Sequence, residues 1–75
     1  MERYANNGGD SNVAAYEIEL SSIKVQFRDG GIYVYTNQSA GSVNIEQMKQ
    51  LARAGKGLNS FIGRVVRNGY ASKTR

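Results

Sequence analysis

Three stretches of the chain alternate apolar and polar side chains, and two others repeat apolar side chains at helical spacing. In residues 13–20, Tyr16, Ile18 and Leu20 point one way and Glu17 and Glu19 the other, the period of a half-buried strand. Residues 23–28 repeat the pattern, with Ile23, Val25 and Phe27 against Lys24, Gln26 and Arg28. Ser21 and Ser22 between them serve as a polar turn. Asp29, Gly30 and Gly31 tolerate positive φ and make the strongest hairpin signal in the chain. Residues 32–36, β-branched and aromatic, form the third strand. A two-residue turn at Asp29-Gly30 or Gly30-Gly31 pairs odd positions of the second strand with even positions of the third. On that register Val25 and Phe27 share an aliphatic face with Ile32 and Val34, while Tyr33 and Tyr35 share the other face with Lys24, Gln26 and Arg28.

After a polar loop at 37–42 the period changes. Asn44 and Gln47 have the spacing of a capping box, and Val43 can staple to Met48. Ile45, Met48, Leu51 and Ala52 form an apolar helical stripe that Gly55 ends. A second helix is expected over residues 58–68, with Leu58, Phe61, Ile62, Val65 and Val66 inward, Ser60, Arg64 and Arg67 outward, and Gly69 as its stop. The stripes should cover the aliphatic sheet face. The expected fold is α+β: a three-stranded antiparallel β-meander followed by two α-helices packed on one face (β-β-β-α-α). Residues 1–11 are rich in Asn and Gly without periodicity and read as a flexible N-terminal tail. Residues 12–70 are then the single domain, and 71–75 a basic C-terminal tail.

Composition narrows the chemistry. The 75 residues include no Cys, His, Pro or Trp. Disulfides, thiolate nucleophiles, zinc sites of Cys or His, and imidazole acid–base catalysis are therefore unavailable. The six acidic residues are too scattered for a carboxylate metal cage. Glu17 and Glu19 share a strand face, but no nucleophile accompanies them, and a Glu19–Lys24 cross-strand pair is the better reading. The chain is expected to be no enzyme, with no cofactor and no metal. A core this small supplies roughly 3–5 kcal/mol, which makes a homo-oligomer, dimer or tetramer, the expected state. No apolar run is long enough to span a membrane, and residues 1–10 lack a signal-peptide core, so a cytoplasmic location is expected.

The charge of +4 is unevenly placed. No acidic residue follows Glu46, and Lys49, Arg53, Lys56, Arg64, Arg67, Lys73 and Arg75 give that half +7. Such a half suits an anionic partner, although a solvated helix face with a basic tail gives the same count. Within it, Lys56 and Gly57 precede Asn59 and Ser60 at the start of the second helix, where backbone amides could meet a phosphate. An interhelical turn with Gly55, Asn59 and Ser60 as caps explains the same residues. Tyr33 and Tyr35 could stack on bases, or could be buried against another copy of the chain.

The segment Phe27-Arg28-Asp29-Gly30-Gly31-Ile32-Tyr33-Val34-Tyr35 resembles the F-x-x-G-x-x-Y-x-Y core of the KTSC domain, a small module named for the C-terminus of some lysyl-tRNA synthetases. Ala54-Gly55-Lys56-Gly57 followed by Phe61 resembles its glycine-containing approach to the last helix. The resemblance spans residues 11–70, matches the family at Gly30, Tyr33, Tyr35 and Gly57, and implies a role beside nucleic acid. In scale and charge the chain also resembles small oligomeric phage proteins that sequester cyclic nucleotide signals. The expected function is non-enzymatic binding of a phosphate-bearing nucleotide, cyclic forms included, at an oligomer interface. Lys56, Gly57, Asn59, Ser60, Arg64 and Arg67 would hold phosphate, and Tyr33, Tyr35 or Tyr70 would stack on the base. An RNA- or tRNA-binding accessory module and a structural or protein-interaction module are the alternatives.

Overall fold

The computed structural model describes residues 1–7, 9 and 11–74. One antiparallel sheet takes its strands in chain order: β1 (Glu2–Arg3), β2 (Val13–Ile18), β3 (Ser22–Phe27), β4 (Ile32–Thr36) and β5 (Ser72–Thr74). Between β4 and β5 run α1 (Asn37–Ala40), α2 (Ser42–Ala54) and α3 (Leu58–Phe61), which continues as a π-helical stretch, Ile62–Val66. The α+β class and the antiparallel sheet are as expected. The sheet has five strands where three were expected, and the helices precede its last strand. Among the described residues no helix is long and apolar enough to cross a membrane.

Both extra strands come from segments expected to be tails. Glu2 and Arg3 pair with Tyr16 and Ala15. Tyr4 behind them is 3% exposed, and its hydroxyl accepts from the Leu58 amide at 3.3 Å. The Asn7 amide donates to the Gly55 carbonyl at 2.6 Å, and Asn7 Nδ2 donates to the Ala54 carbonyl at 2.9 Å. A single aromatic anchor and two asparagine hydrogen bonds thus hold a segment that shows no hydrophobic period. At the other end Ser72 and Lys73 pair with Val34 and Tyr33. Positions 8, 10 and 75 of the expected tails lie outside the described residues.

The β3–β4 hairpin overturns the expected faces. Ile23 pairs with Tyr35, and Val25 with Tyr33. The loop holds three residues: the Phe27 amide donates to the Gly31 carbonyl, the Gly30 amide donates to the Phe27 carbonyl, and Gly30 takes φ +94°. One residue more than a two-residue turn changes the parity of the pairing and exchanges the faces of β4. Tyr33 and Tyr35 therefore lie with Ile23 and Val25 on the helix-covered face. Ile32 and Val34 lie with Gln26 and Lys24 on the other. A bulge between Val13 and Ala15 brings both Val13 and Tyr16 inward. Leu20, expected inside, is 96% exposed because it sits in the β2–β3 turn. The Glu19–Lys24 pair is present at 3.8 Å.

The helices also start and end differently. The capping box forms at Thr36 and Ser39, each amide donating to the other's hydroxyl at 3.0 Å, and starts α1 where a loop was expected. Helix α2 begins after Gly41 with no side-chain cap. Asn44 instead donates to the Ala40 carbonyl, and Val43 is too exposed to staple. Gly55 ends α2 at φ +77° as expected, and a Cβ there would stand 2.7 Å from that of Ala5. Ile45, Met48, Ala52, Leu58, Ile62 and Val66 complete the core with the sheet side chains. Val65 is turned out, since the wider π turn rotates it off the stripe expected for an α-helix. Lys49, nominally on the polar side of α2, is buried; its ammonium donates to the Leu20 carbonyl at 2.9 Å and pairs with Glu46 at 3.1 Å.

Candidate functional site

The expected site residues separate into two groups. Lys56, Gly57, Asn59 and Ser60 border a cavity of about 130 Å3 whose other walls are Tyr4, Asn6 and Ser11 from the N-terminal segment. Gly57, not Asn59 or Ser60, caps α3, and it does so without a side-chain hydrogen bond. The Leu58 amide, one of those expected to face a phosphate, already donates to the Tyr4 hydroxyl. A four-residue α3 also sums few peptide dipoles. The segment serves as an interhelical turn against which the N-terminus docks.

The second group gathers where β4, β5 and the end of the π stretch meet. Tyr33, Tyr35, Tyr70 and Arg67 line a cavity of about 300 Å3 together with Phe27, Ile62, Asn68, Lys73 and one acidic side chain, Asp29. The rings form one cluster. Tyr33 meets Tyr70 edge to face at 5.0 Å and Phe27 at 5.1 Å, and lies nearly parallel to Tyr35 at 6.5 Å. Lys73, directly across from Tyr33 in the β4–β5 ladder, holds its ammonium 5.6 Å from the Tyr33 ring centre and 6.0 Å from that of Tyr70. These are cation–π distances. Arg64 borders neither cavity and is exposed on the π stretch.

Arg67 reaches this cavity by an unusual backbone path. Its amide donates to the Ile62 carbonyl at 2.6 Å, the five-residue bond of a π turn, and its own φ is +45° with ψ −112°. A non-glycine residue held at positive φ costs of order 1–3 kcal/mol, and such strain gathers where function requires it.

Tyr35 cannot stack on a base, because at 1% exposure its ring belongs to the core. Burial, then the neighbouring Tyr33 and Tyr70, push its phenol up to about 12. Below the ordinary tyrosine value near 10 the folded and unfolded chains are both protonated there, and the stabilisation is complete. Between 10 and 12 the unfolded chain releases the proton first, so stability should fall as pH rises, by up to about 3 kcal/mol for this group. Urea denaturation at stepped alkaline pH, run beside Tyr35→Phe, checks this. The substitution should remove that part of the alkaline loss, and an unchanged pH slope would refute the assignment.

Lys73, Asn68, Asp29 and Phe27 were missed by sequence reasoning as members of the site. The available signals were the absence of any acid after Glu46 and the position of Lys73 between two small polar residues. Three polar residues with no alternation carry no strand signal. Among the described residues no group of acidic side chains comes together to hold a metal ion. No family model matches the chain, and neither a curated protein nor a solved structure is found to match it.

Proposed function

We propose that this chain is a non-enzymatic module that binds a phosphate-bearing nucleotide in the tyrosine-lined cavity at β4, β5 and the end of the π stretch. The observation that carries the reading is Arg67, held in a strained backbone conformation at a cavity whose aromatic wall already attracts the Lys73 ammonium. Tyr33 and Tyr70, half-buried, offer ring surface to a base. Arg67 and Lys73 supply donors for phosphate oxygens, and Asn68 can read a base edge through its amide. A cyclic nucleotide signal held this way would be sequestered and not converted. Self-association as a dimer or tetramer belongs to the same proposal: the sheet face bearing Ile32, Val34, Gln26 and Lys24 lies opposite the core face on which α2 and α3 pack.

Amide NMR spectra recorded with adenosine 5′-monophosphate, cyclic adenosine monophosphate and inorganic phosphate test the reading. The largest shifts should fall at Tyr33, Arg67, Asn68, Tyr70 and Lys73. Shifts confined to Lys56, Gly57 and Ser60, or none with any of the three probes, would refute it.

A further inference from the structure

The proposed cavity uses only one end of an exposed basic surface. Arg53, Lys56, Arg64, Arg67 and Lys73 are all exposed, and among the described residues none of them forms an ion pair. No acidic residue follows Glu46 in sequence; in space Asp29 borders the tyrosine cavity with Arg67 and Lys73, and Arg53 borders a separate cavity with Glu2 and Glu17. Ser60 borders the Lys56 cavity, Arg67 borders the tyrosine cavity, and exposed Arg64 lies between them in sequence, four residues from Ser60. That separation places Ser60 and Arg64 on one helix face. Residues 58–66 therefore connect the two cavities over about 12 Å.

Gly63 lies in this connection and is itself exposed. No atom comes within 4 Å of the place its Cβ would occupy. It is not among the glycines at positive φ. Neither packing nor backbone geometry calls for a glycine here, although glycine weakens a helix. What its missing side chain does provide is room, beside Arg64, for an outside chain to pass.

We infer that the nucleotide in the tyrosine cavity is one unit of a single-stranded nucleic acid whose neighbouring phosphates run along residues 58–66, past Gly63 and Arg64 toward Lys56. This rests on the cavity reading above. At about 3.4 Å per stacked nucleotide the helix takes roughly three phosphates. Arg64, idle in the cavity, becomes a backbone contact. Gly63 is the point of closest passage.

Titrations of the full chain with labelled oligoriboadenylate and oligodeoxyadenylate of about eight nucleotides, compared with adenosine 5′-monophosphate, test the inference. The better oligomer should bind at least about tenfold more tightly than the mononucleotide, with log K falling against log salt at a slope of about −2. The two arms identify which sugar the strand carries. Gly63→Gln should raise the thermal midpoint, since glutamine is the better helix former. It should weaken the oligomer about fivefold or more while leaving the mononucleotide unchanged. Arg64→Gln should weaken the oligomer alone. Oligomers no tighter than the mononucleotide, or an oligomer affinity indifferent to both substitutions, overturn the strand path and leave the cavity reading standing. Failure of every ligand to bind overturns both.

Discussion

Removing residues 1–7 should abolish cooperative unfolding, and Tyr4→Ala alone should cost about 3–5 kcal/mol, the range for truncating a buried aromatic ring. That is comparable to the whole stability of a domain this size. Tyr4 is buried and packs edge to face on Tyr16 at 6.5 Å. Its hydroxyl satisfies the Leu58 amide at the start of α3. The asparagine at position 7 satisfies carbonyls at the end of α2 through both its backbone and its side chain. The N-terminal segment therefore joins the sheet edge to the turn between two helices. Tyr4→Phe keeps the ring and loses one hydrogen bond, so it should cost about 1–2 kcal/mol. Urea unfolding followed by circular dichroism compares the four proteins. A truncated chain that unfolds at the same urea concentration as the full one would show that the segment contributes nothing.

This anchoring could not be read from periodicity, because one aromatic among Asn and Gly residues has no period. Other parts of the fold were legible. Alternation found β2, β3 and β4, and the apolar stripes found α2 and α3. Gly55 ended α2 as expected because its conformational role is set locally. What failed were features fixed by one residue of difference. A three-residue loop in place of a two-residue one moved Tyr33 and Tyr35 from the open face into contact with the helices. A π turn in place of an α turn exposed Val65 and re-aimed Arg67. Hydrophobic pattern does not resolve either choice, since both alternatives conserve the number of apolar residues and differ only in tertiary fit.

The candidate site shows the same division. Tyr33 and Tyr35 do come together with the distant Arg67 and Tyr70, whereas Lys56, Gly57, Asn59 and Ser60 belong to a different cavity. Lys73 was hidden because its position depends on pairing across from Tyr33, a contact between distant parts of the chain.

The second large effect expected is on ligand binding. Replacing Arg67 and Lys73 together by glutamine should weaken binding of adenosine 5′-monophosphate by about ten- to a hundredfold, or about 1.4–2.8 kcal/mol. Charge-assisted hydrogen bonds to phosphate are the strong ones, and these two cations are the basic side chains lining the tyrosine cavity. The fold should tolerate the change, since both side chains are exposed and glutamine at position 67 meets the same backbone demand as arginine. Thermal midpoints within a few degrees of the original would establish that. Lys56→Gln serves as the control from the other cavity and should leave mononucleotide affinity unchanged.

Calorimetric titration of the original chain, the Arg67→Gln/Lys73→Gln pair and Lys56→Gln with adenosine 5′-monophosphate decides the matter. One saturable site that is lost in the pair and kept in the control is the result that the tyrosine cavity requires. Equal affinity in all three, or heat of dilution alone with the original chain, would contradict it.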